Sequence, residues 1–210
     1  MPTDKAQGKR ALKARETRRK MLTAATNLFL EHGYGTTTLQ DVADRAGVAV
    51  QTIYFTFGTK RALLKEVVDV AIAGDDEPVA TMDRPWFHSA LTAPTAAEQI
   101  DLHVSATSAI LGRVAAITKV LDAAAAGDPE IAAAWPDADD PRHTVQRALA
   151  DALVTKPDAR PGLSAEEAAD VLYGVLSPEL YLVFTGDRGW SPEKWTAWST
   201  RVLLAELVAA

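Results

Sequence analysis

The segment from Thr37 to Gly58 leaves this chain the least freedom. Thr37 and Thr38 each stand three residues before a polar partner, Gln40 or Asp41, so a hydroxyl can accept a backbone N–H while the partner side chain bonds back to the cap. That signal starts a helix at about Leu39, and Ala46-Gly47 ends it, because glycine takes the positive φ of a sharp break without steric cost. A second short helix runs from about Val50 to Phe57 and stops at Gly58. Ala43 and Ala46 are small where the two helices touch, and Val42, Val48 and Ile53 form the apolar wedge that sets their angle. Preceded by a longer helix, the pair is a helix-turn-helix. Ile53 and Phe57 lie four apart and face inward, which leaves Val50, Gln51, Tyr54 and Phe55 pointing outward, with Phe55 expected to be partly buried and not base-facing.

The rest of the chain also reads as helix. Leu22, Ala25, Leu28 and Phe29 share one face of a helix over about residues 10–32, stopped by Gly33, and a fourth helix follows from Lys60 to about Ala73. Gly74, Asp75, Asp76, Glu77, Pro78, Pro85 and Pro94 punctuate a stretch without sustained period, which predicts a loop over about 74–94. Further helices are predicted over 95–111, 113–126, from Asp128-Pro129 onward, near 141–155, over 164–185 with Pro178 bending it, and from Ser191-Pro192 to about Val208. No paired β-branched runs flank a hairpin turn, so the expected fold class is all-α, with about nine to ten helices.

Charge is divided along the chain. Residues 1–65 carry twelve Lys/Arg and five Asp/Glu, net +7, whereas the remaining 145 carry ten and 23, net −13. A cationic head on an acidic body suits a polyanion partner. The absence of cysteine excludes thiolate catalysis, disulfides and cysteine-ligated metal, and no cofactor or metal is expected. No serine-nucleophile elbow, phosphate-binding glycine loop or paired-histidine zinc helix is present, so no enzyme is expected, and Asp137, Asp139 and Asp140 read as a solvated turn between prolines. No uninterrupted apolar run of membrane-spanning length stands out, and the basic N-terminus lacks a signal-peptide core, which predicts a cytoplasmic protein. Binding of the basic N-terminal helix to an anionic membrane surface is the alternative from another class.

Leu22 to Leu64 closely resembles the N-terminal DNA-binding domain of the tetracycline-repressor (TetR) family of bacterial transcriptional regulators. The matching pieces are Phe29, Gly33-Tyr34, Thr37-Thr38, the Ala43 to Gly47 turn, Thr52-Ile53-Tyr54, Phe57, and Gly58-Thr59-Lys60 followed by Ala62-Leu63-Leu64. The resemblance implies a DNA-binding domain in residues 1–60 and an effector-binding, dimerising domain in 61–210. It also implies a homodimer acting on a palindromic double-stranded operator, usually as a repressor released by a small molecule; constitutive binding without effector is the alternative. Carried over position by position, it places Gln51, Thr52 and Tyr54 on the recognition helix, Thr37 and Thr38 beside phosphate, and Lys60 on a phosphate contact. Family members often carry a polar cap and a basic residue where this chain has Ala49 and Val50. That departure shifts expectation toward thymine-methyl contact by Val50 and adenine recognition by Gln51. Arg18, in the run Lys13, Arg15, Arg18, Arg19 and Lys20, is a further candidate for phosphate.

Two regions of the acidic part draw attention. His103 and Thr107 fall on the apolar stripe of Ile100, Val104 and Leu111, and with Trp86, Trp135 and Tyr173 they form the candidate pocket for a mostly apolar effector. The helix over 164–185 is apolar nearly all round, and the last helix carries Trp195 and Trp198 on one face. Leu180, Tyr181, Phe184, Trp195 and Trp198 are therefore the candidate dimer interface.

Overall fold

The computed structural model describes residues 4–75, 77, 79–134 and 140–209. Contacts divide the chain into two compact units, residues 1–70 with 117–131, and residues 71–116 with 132–210. The helices α4 (Lys60–Ala73) and α6 (Ala96–Gly127) both run across that division.

In the first unit, α1 spans Asp4–His32, α2 Leu39–Ala46 and α3 Val50–Phe57. The helix α1 buries Met21, Leu22, Ala25, Leu28 and Phe29, and begins earlier than the start near residue 10 that the apolar period indicated. Against this face pack Leu39, Val42 and Ala43 of α2, Ile53 and Phe57 of α3, and Leu63, Leu64, Val67 and Val68 of α4. Burial of each large side chain contributes about 1.5–3 kcal/mol relative to exposure. Ile117 and Leu121 from the end of α6, with Ile131 of α7 (Pro129–Ala134), complete this core.

In the second unit the stretch expected to be loop contains a 3-10 turn, Thr81–Asp83, and a helix, α5 (Pro85–Thr92), with Pro85 in its first turn and Pro94 just past its end. The two helices predicted over 95–111 and 113–126 are one, because α6 continues through Gly112. That glycine passes close to α10, where an added Cβ would lie 3.5 Å from the Tyr181 hydroxyl. The helix predicted over 164–185 is instead divided into α9 (Ala165–Val175) and α10 (Pro178–Leu182), the latter followed by a π-helical turn, Val183–Asp187. Pro178 does not bend a helix; it starts one, with the Ser177 hydroxyl accepting from the N–H of Leu180. The last helix, α11 (Pro192–Leu207), uses the same device at Ser191-Pro192.

A short turn near 156–160 ties the second unit together. Lys156 Nζ donates to the carbonyls of Leu91 (2.9 Å) and Ala93 (2.5 Å) at the end of α5, and the Asp158 carboxylate accepts from the N–H groups of Ala96 (2.6 Å) and Ala97 (3.1 Å), capping α6. These bonds bring the start of α6 beside the end of α8 (Pro141–Leu153), where Gln99 Nε2, one turn into α6, donates to the Leu149 carbonyl (2.7 Å). Among the described residues α6 is long and apolar enough to cross a membrane, with a mean hydropathy of 1.4 over its most apolar stretch. Arg113, Lys119 and several Ser and Thr interrupt its Val, Ile and Leu, so no unbroken apolar run announced it, and its buried face carries Gln99, His103, Thr107 and Ser108.

Candidate nucleic-acid interface and interior polar cluster

The turn between α1 and α2 is built from threonines with different tasks. Thr38 caps α2: its hydroxyl accepts from the Asp41 N–H (3.1 Å), its own N–H donates to the Asp41 carboxylate (2.8 Å), and this bonding lowers the Asp41 pKa. Thr37 is buried and donates to the carbonyls of Gly33 (2.9 Å) and Leu28 (3.3 Å), closing the end of α1. It is thus turned away from the surface, which corrects its placement beside phosphate. Gly47 ends α2 in the left-handed conformation at φ 68°, and Val48 N–H donates to the Ala43 carbonyl (3.0 Å).

The helix α3 follows at once. Ile53 and Phe57 are buried, Val50 and Thr52 are half-buried, and Gln51 and Tyr54 are exposed. Phe55 is 93% exposed, not partly buried as expected. Its neighbours in the inward register are Ile53 and Phe57, and one helical residue shifts a side chain by about 100°, which carries Phe55 off the packed face. No charged residue lies in α3, and Ala49 gives it no side-chain cap, so no side chain competes for the N–H groups of its first turn.

Several cations of this unit are held in exposed ion pairs: Lys20 with Glu16 (2.9 Å), Lys65 with Asp69 (2.6 Å) and Arg45 with Glu31 (2.9 Å). Such pairs are worth about 0–1 kcal/mol each, so a phosphate can replace the carboxylate at little cost. Arg18 is more committed, bonded to Glu66 and lying over the Phe57 ring at 5.6 Å.

Lys60 is placed differently from the phosphate contact expected of it. Its ammonium donates to the carbonyls of Tyr34 (2.8 Å) and Thr37 (2.9 Å), lies 3.4 Å from that of Gly35 and sits 4.2 Å over the Tyr34 ring; burial lowers its pKa. Its donors staple the α1–α2 turn. Lys60→Met is therefore expected to lower the unfolding free energy by about 1.5–3 kcal/mol in urea titrations, the usual worth of hydrogen bonds from a charged donor. Unchanged stability with a shallower salt dependence of DNA binding would restore the phosphate role.

In the second unit, His103 lies on the buried face of α6, its ring stacked on Trp86 at 6.3 Å and 12°. Desolvation pushes the His103 pKa down to about 4, so its imidazole is neutral. Thr107 is buried one turn further along. Tyr173, proposed with them as pocket lining, has its polar atoms engaged elsewhere: its hydroxyl donates to Asp140 (2.6 Å), its carbonyl accepts from Arg142 (2.9 Å), and the Arg142 guanidinium lies 3.4 Å over its ring. It latches α9 to the start of α8. Trp135, with Asp137 and Asp139, falls outside the described residues.

The candidate interface residues also divide. Tyr181 and Trp195 are buried in their own protomer, edge to face at 5.0 Å, and so cannot face a partner. Leu180 and Phe184 are half-buried; Phe184 stacks on Trp190 at 4.4 Å and meets Trp198 at 4.6 Å, beside Val183, which is exposed. Sequence reasoning missed Trp190 because it sits in the loop before α11, outside any helical period.

Residues 21–67 match the profile described as bacterial regulatory proteins, tetR family. Over 64 residues the chain is 39% identical to an uncharacterized HTH-type transcriptional regulator, YezE, of Bacillus subtilis (strain 168), covering 30% of this chain and 32% of that protein. The aligned stretch thus spans about a third of that relative's length. Among solved structures, a Saccharomonospora viridis protein in complex with choline superposes with a TM-score of 0.69 at 20% identity, covering 93% of this chain and 99% of that one. The transcriptional regulator FadR from Bacillus subtilis in complex with stearoyl-CoA gives 0.65 at 18% identity, covering 90% and 98%. Residues 21–67 thus carry a helix-turn-helix similar to that of the tetR family of bacterial regulatory proteins, on a chain whose fold is shared along nearly its whole length with these solved structures.

Proposed function

We propose that the protein is a transcriptional regulator that binds double-stranded DNA sequence-specifically as a homodimer at a palindromic operator, and that a small, mostly apolar effector releases it. The observation that carries this reading is α3: an uncapped helix whose exposed side chains are Gln51, Tyr54, Phe55 and Thr56, in a unit whose N-terminal residues are strongly cationic. Basic side chains supply affinity through phosphate neutralisation, and the uncharged face of α3 supplies discrimination through Gln51 amide bonds and apolar contact with thymine methyl groups. Thr38, Val50 and Thr52 flank that face. Two proteins of the same fold bind choline and stearoyl-CoA, which supports an effector site in the second unit, with Trp86, His103 and Thr107 the nearest candidates.

Selection from a random duplex library is expected to yield a palindrome with half-sites about one helical turn, or a multiple of it, apart. On that site Gln51→Ala and Phe55→Ala should each cost about 1–3 kcal/mol and relax preference at one position per half-site, whereas Arg19→Ala should weaken specific and random DNA alike. Equal loss on both kinds of DNA for all three variants would remove α3 as the reader. Failure of every compound in a thermal-shift library to release the operator would favour a constitutive regulator.

A further inference from the structure

A groove of about 570 Å³ opens in the second unit where α6 meets the start of α11, and the Tyr181 side chain of α10 reaches into it. Successive helical residues turn by about 100°, so its α6 residues, Ser105, Ser108, Ala109 and Gly112, lie on the other side of that helix from His103 and Thr107. The groove is therefore separate from the candidate effector pocket. Tyr181 is 5% exposed, its ring packed edge to face on Trp195, and among the described residues its hydroxyl has no hydrogen-bond partner. That hydroxyl surfaces beside Gly112, where an added Cβ would lie 3.5 Å away. Buried polar groups are nearly always paired, so an unpaired phenol opening into a groove is placed for something that enters it.

Charge narrows what that is. Glu193, on the α11 wall, is ionised, its pKa lowered chiefly by a hydrogen bond with the Ser191 side chain, and no Lys or Arg among the described residues pairs with it. The adjacent cations are committed elsewhere: Arg113 donates to the carbonyls of Ala71 (3.0 Å) and Ile72 (3.2 Å), and Lys194 lies over the Trp190 ring. The lining thus holds one negative charge and no positive one. We propose that this groove binds a small organic cation, a primary or secondary ammonium whose N–H groups reach the Tyr181 oxygen and the Glu193 carboxylate and whose apolar body lies on Ala109, Gly112 and Ala197. Burial, and after it the Glu193 charge, raise the Tyr181 pKa, so the phenol stays neutral and its oxygen accepts. A carboxylate ligand meets Glu193 with like charge, and a quaternary ammonium keeps the charge but brings no N–H to the phenol. Thr196, bonded to the Ser108 hydroxyl (2.7 Å), ties α11 to α6 and holds the two walls together. The net charge of −13 beyond residue 65 draws cations toward the surface.

Amide shifts in 1H–15N spectra of the full-length protein, titrated with benzylammonium, benzyltrimethylammonium, benzyl alcohol and benzoate, report both affinity and place. Benzylammonium is expected to bind about fivefold tighter than benzyl alcohol, with shifts at Ser105, Ala109, Gly112 and Ala197 and none around Trp86 and His103, and benzoate is expected not to bind. Glu193→Gln should remove the advantage of benzylammonium over benzyl alcohol. Tyr181→Phe keeps the ring on Trp195 and should weaken benzylammonium about threefold while leaving benzyltrimethylammonium unchanged. Glu193 is exposed, so its variant tests the site even if Tyr181→Phe fails to fold. Benzoate bound as tightly as benzylammonium, no binding by any of the probes, shifts confined to the surroundings of His103, or a benzylammonium affinity indifferent to Glu193→Gln or to a folded Tyr181→Phe overturns the proposal. The effector reading is decided by operator release and stands or falls independently of these outcomes.

Discussion

Phe184→Glu and Trp198→Glu are each expected to convert the protein to monomers and to reduce affinity for the selected operator by 100-fold or more. Phe184, Trp190 and Trp198 form one aromatic cluster, with ring centroids 4.4–6.3 Å apart, contributed by the π-helical turn after α10, the loop before α11 and α11 itself. Lys194 lies 4.2 Å over Trp190 at its rim, and exposed Val183 extends it. A cluster of large aromatic side chains, only partly covered in one protomer and edged by a cation, is the composition of an interface hot spot, where truncation of one residue costs about 2 kcal/mol or more and a carboxylate costs further desolvation. A palindromic site is held through both half-sites at once, so a monomer loses the second set of contacts; a 100-fold loss corresponds to about 2.7 kcal/mol. Tyr181→Glu would not test this, because Tyr181 is packed inside its own protomer against Trp195, and a charge there unfolds the helices instead of parting two chains. Sedimentation velocity with operator titration decides the matter. Variants that stay dimeric, with helical content and affinity intact, place the dimer contact on another face.

What the sequence revealed about this molecule tracks how local the determining interaction is. The helix-turn-helix was legible to within a residue because its signals are self-contained: Thr38 bonds to Asp41, Gly47 takes positive φ, and Ile53 and Phe57 share a face. The same local code stood at Ser177-Pro178, an N-cap followed by a proline in the first turn, yet a continuous apolar run on both sides hid the break between α9 and α10. In α5 the opposite holds, since eight residues between prolines are too few to display a period. At Gly112 glycine costs a helix about 1 kcal/mol relative to alanine, which suggests a break; α6 nevertheless runs through it, and a Cβ there would meet the Tyr181 hydroxyl at an ordinary contact distance of 3.5 Å.

Side-chain roles were harder to read for the same reason. Lys60 bonds carbonyls more than twenty residues away, and Tyr173 reaches an aspartate 33 residues away. Neither partner is visible in a local pattern. Tyr181 and Trp195 were assigned to the interface because an all-round apolar helix must be covered on every side, but the pattern does not say which side is covered by the same chain. His103 is the contrasting case: one titratable residue on an apolar stripe announced itself in sequence, and its environment then gave it a definite chemistry.

That environment predicts a strong dependence of stability on acid. In the unfolded chain His103 titrates at its ordinary value of 6.5, whereas in the folded chain burial alone holds it at about 4, so between these values the unfolded state binds the extra proton. Stability from this residue is complete above pH 6.5 and is lost progressively as pH falls through about 4. Each pKa unit is worth 1.36 kcal/mol, so the whole loss is about 3 kcal/mol, or a fall in Tm of roughly 6–12 °C for a chain of this size. Asp75, held at about 2 chiefly by its hydrogen bonds from Arg84, loses its contribution in a separate window, from near 4 downward, so the two groups are distinguishable in one titration. His103→Gln keeps a polar side chain but removes the proton site, and in thermal unfolding followed from pH 7 to 4 it should flatten the slope between 6.5 and 4 while leaving the decline below 4 in place. An unchanged slope in the variant would mean that His103 is not the residue that couples folding to protons in this range.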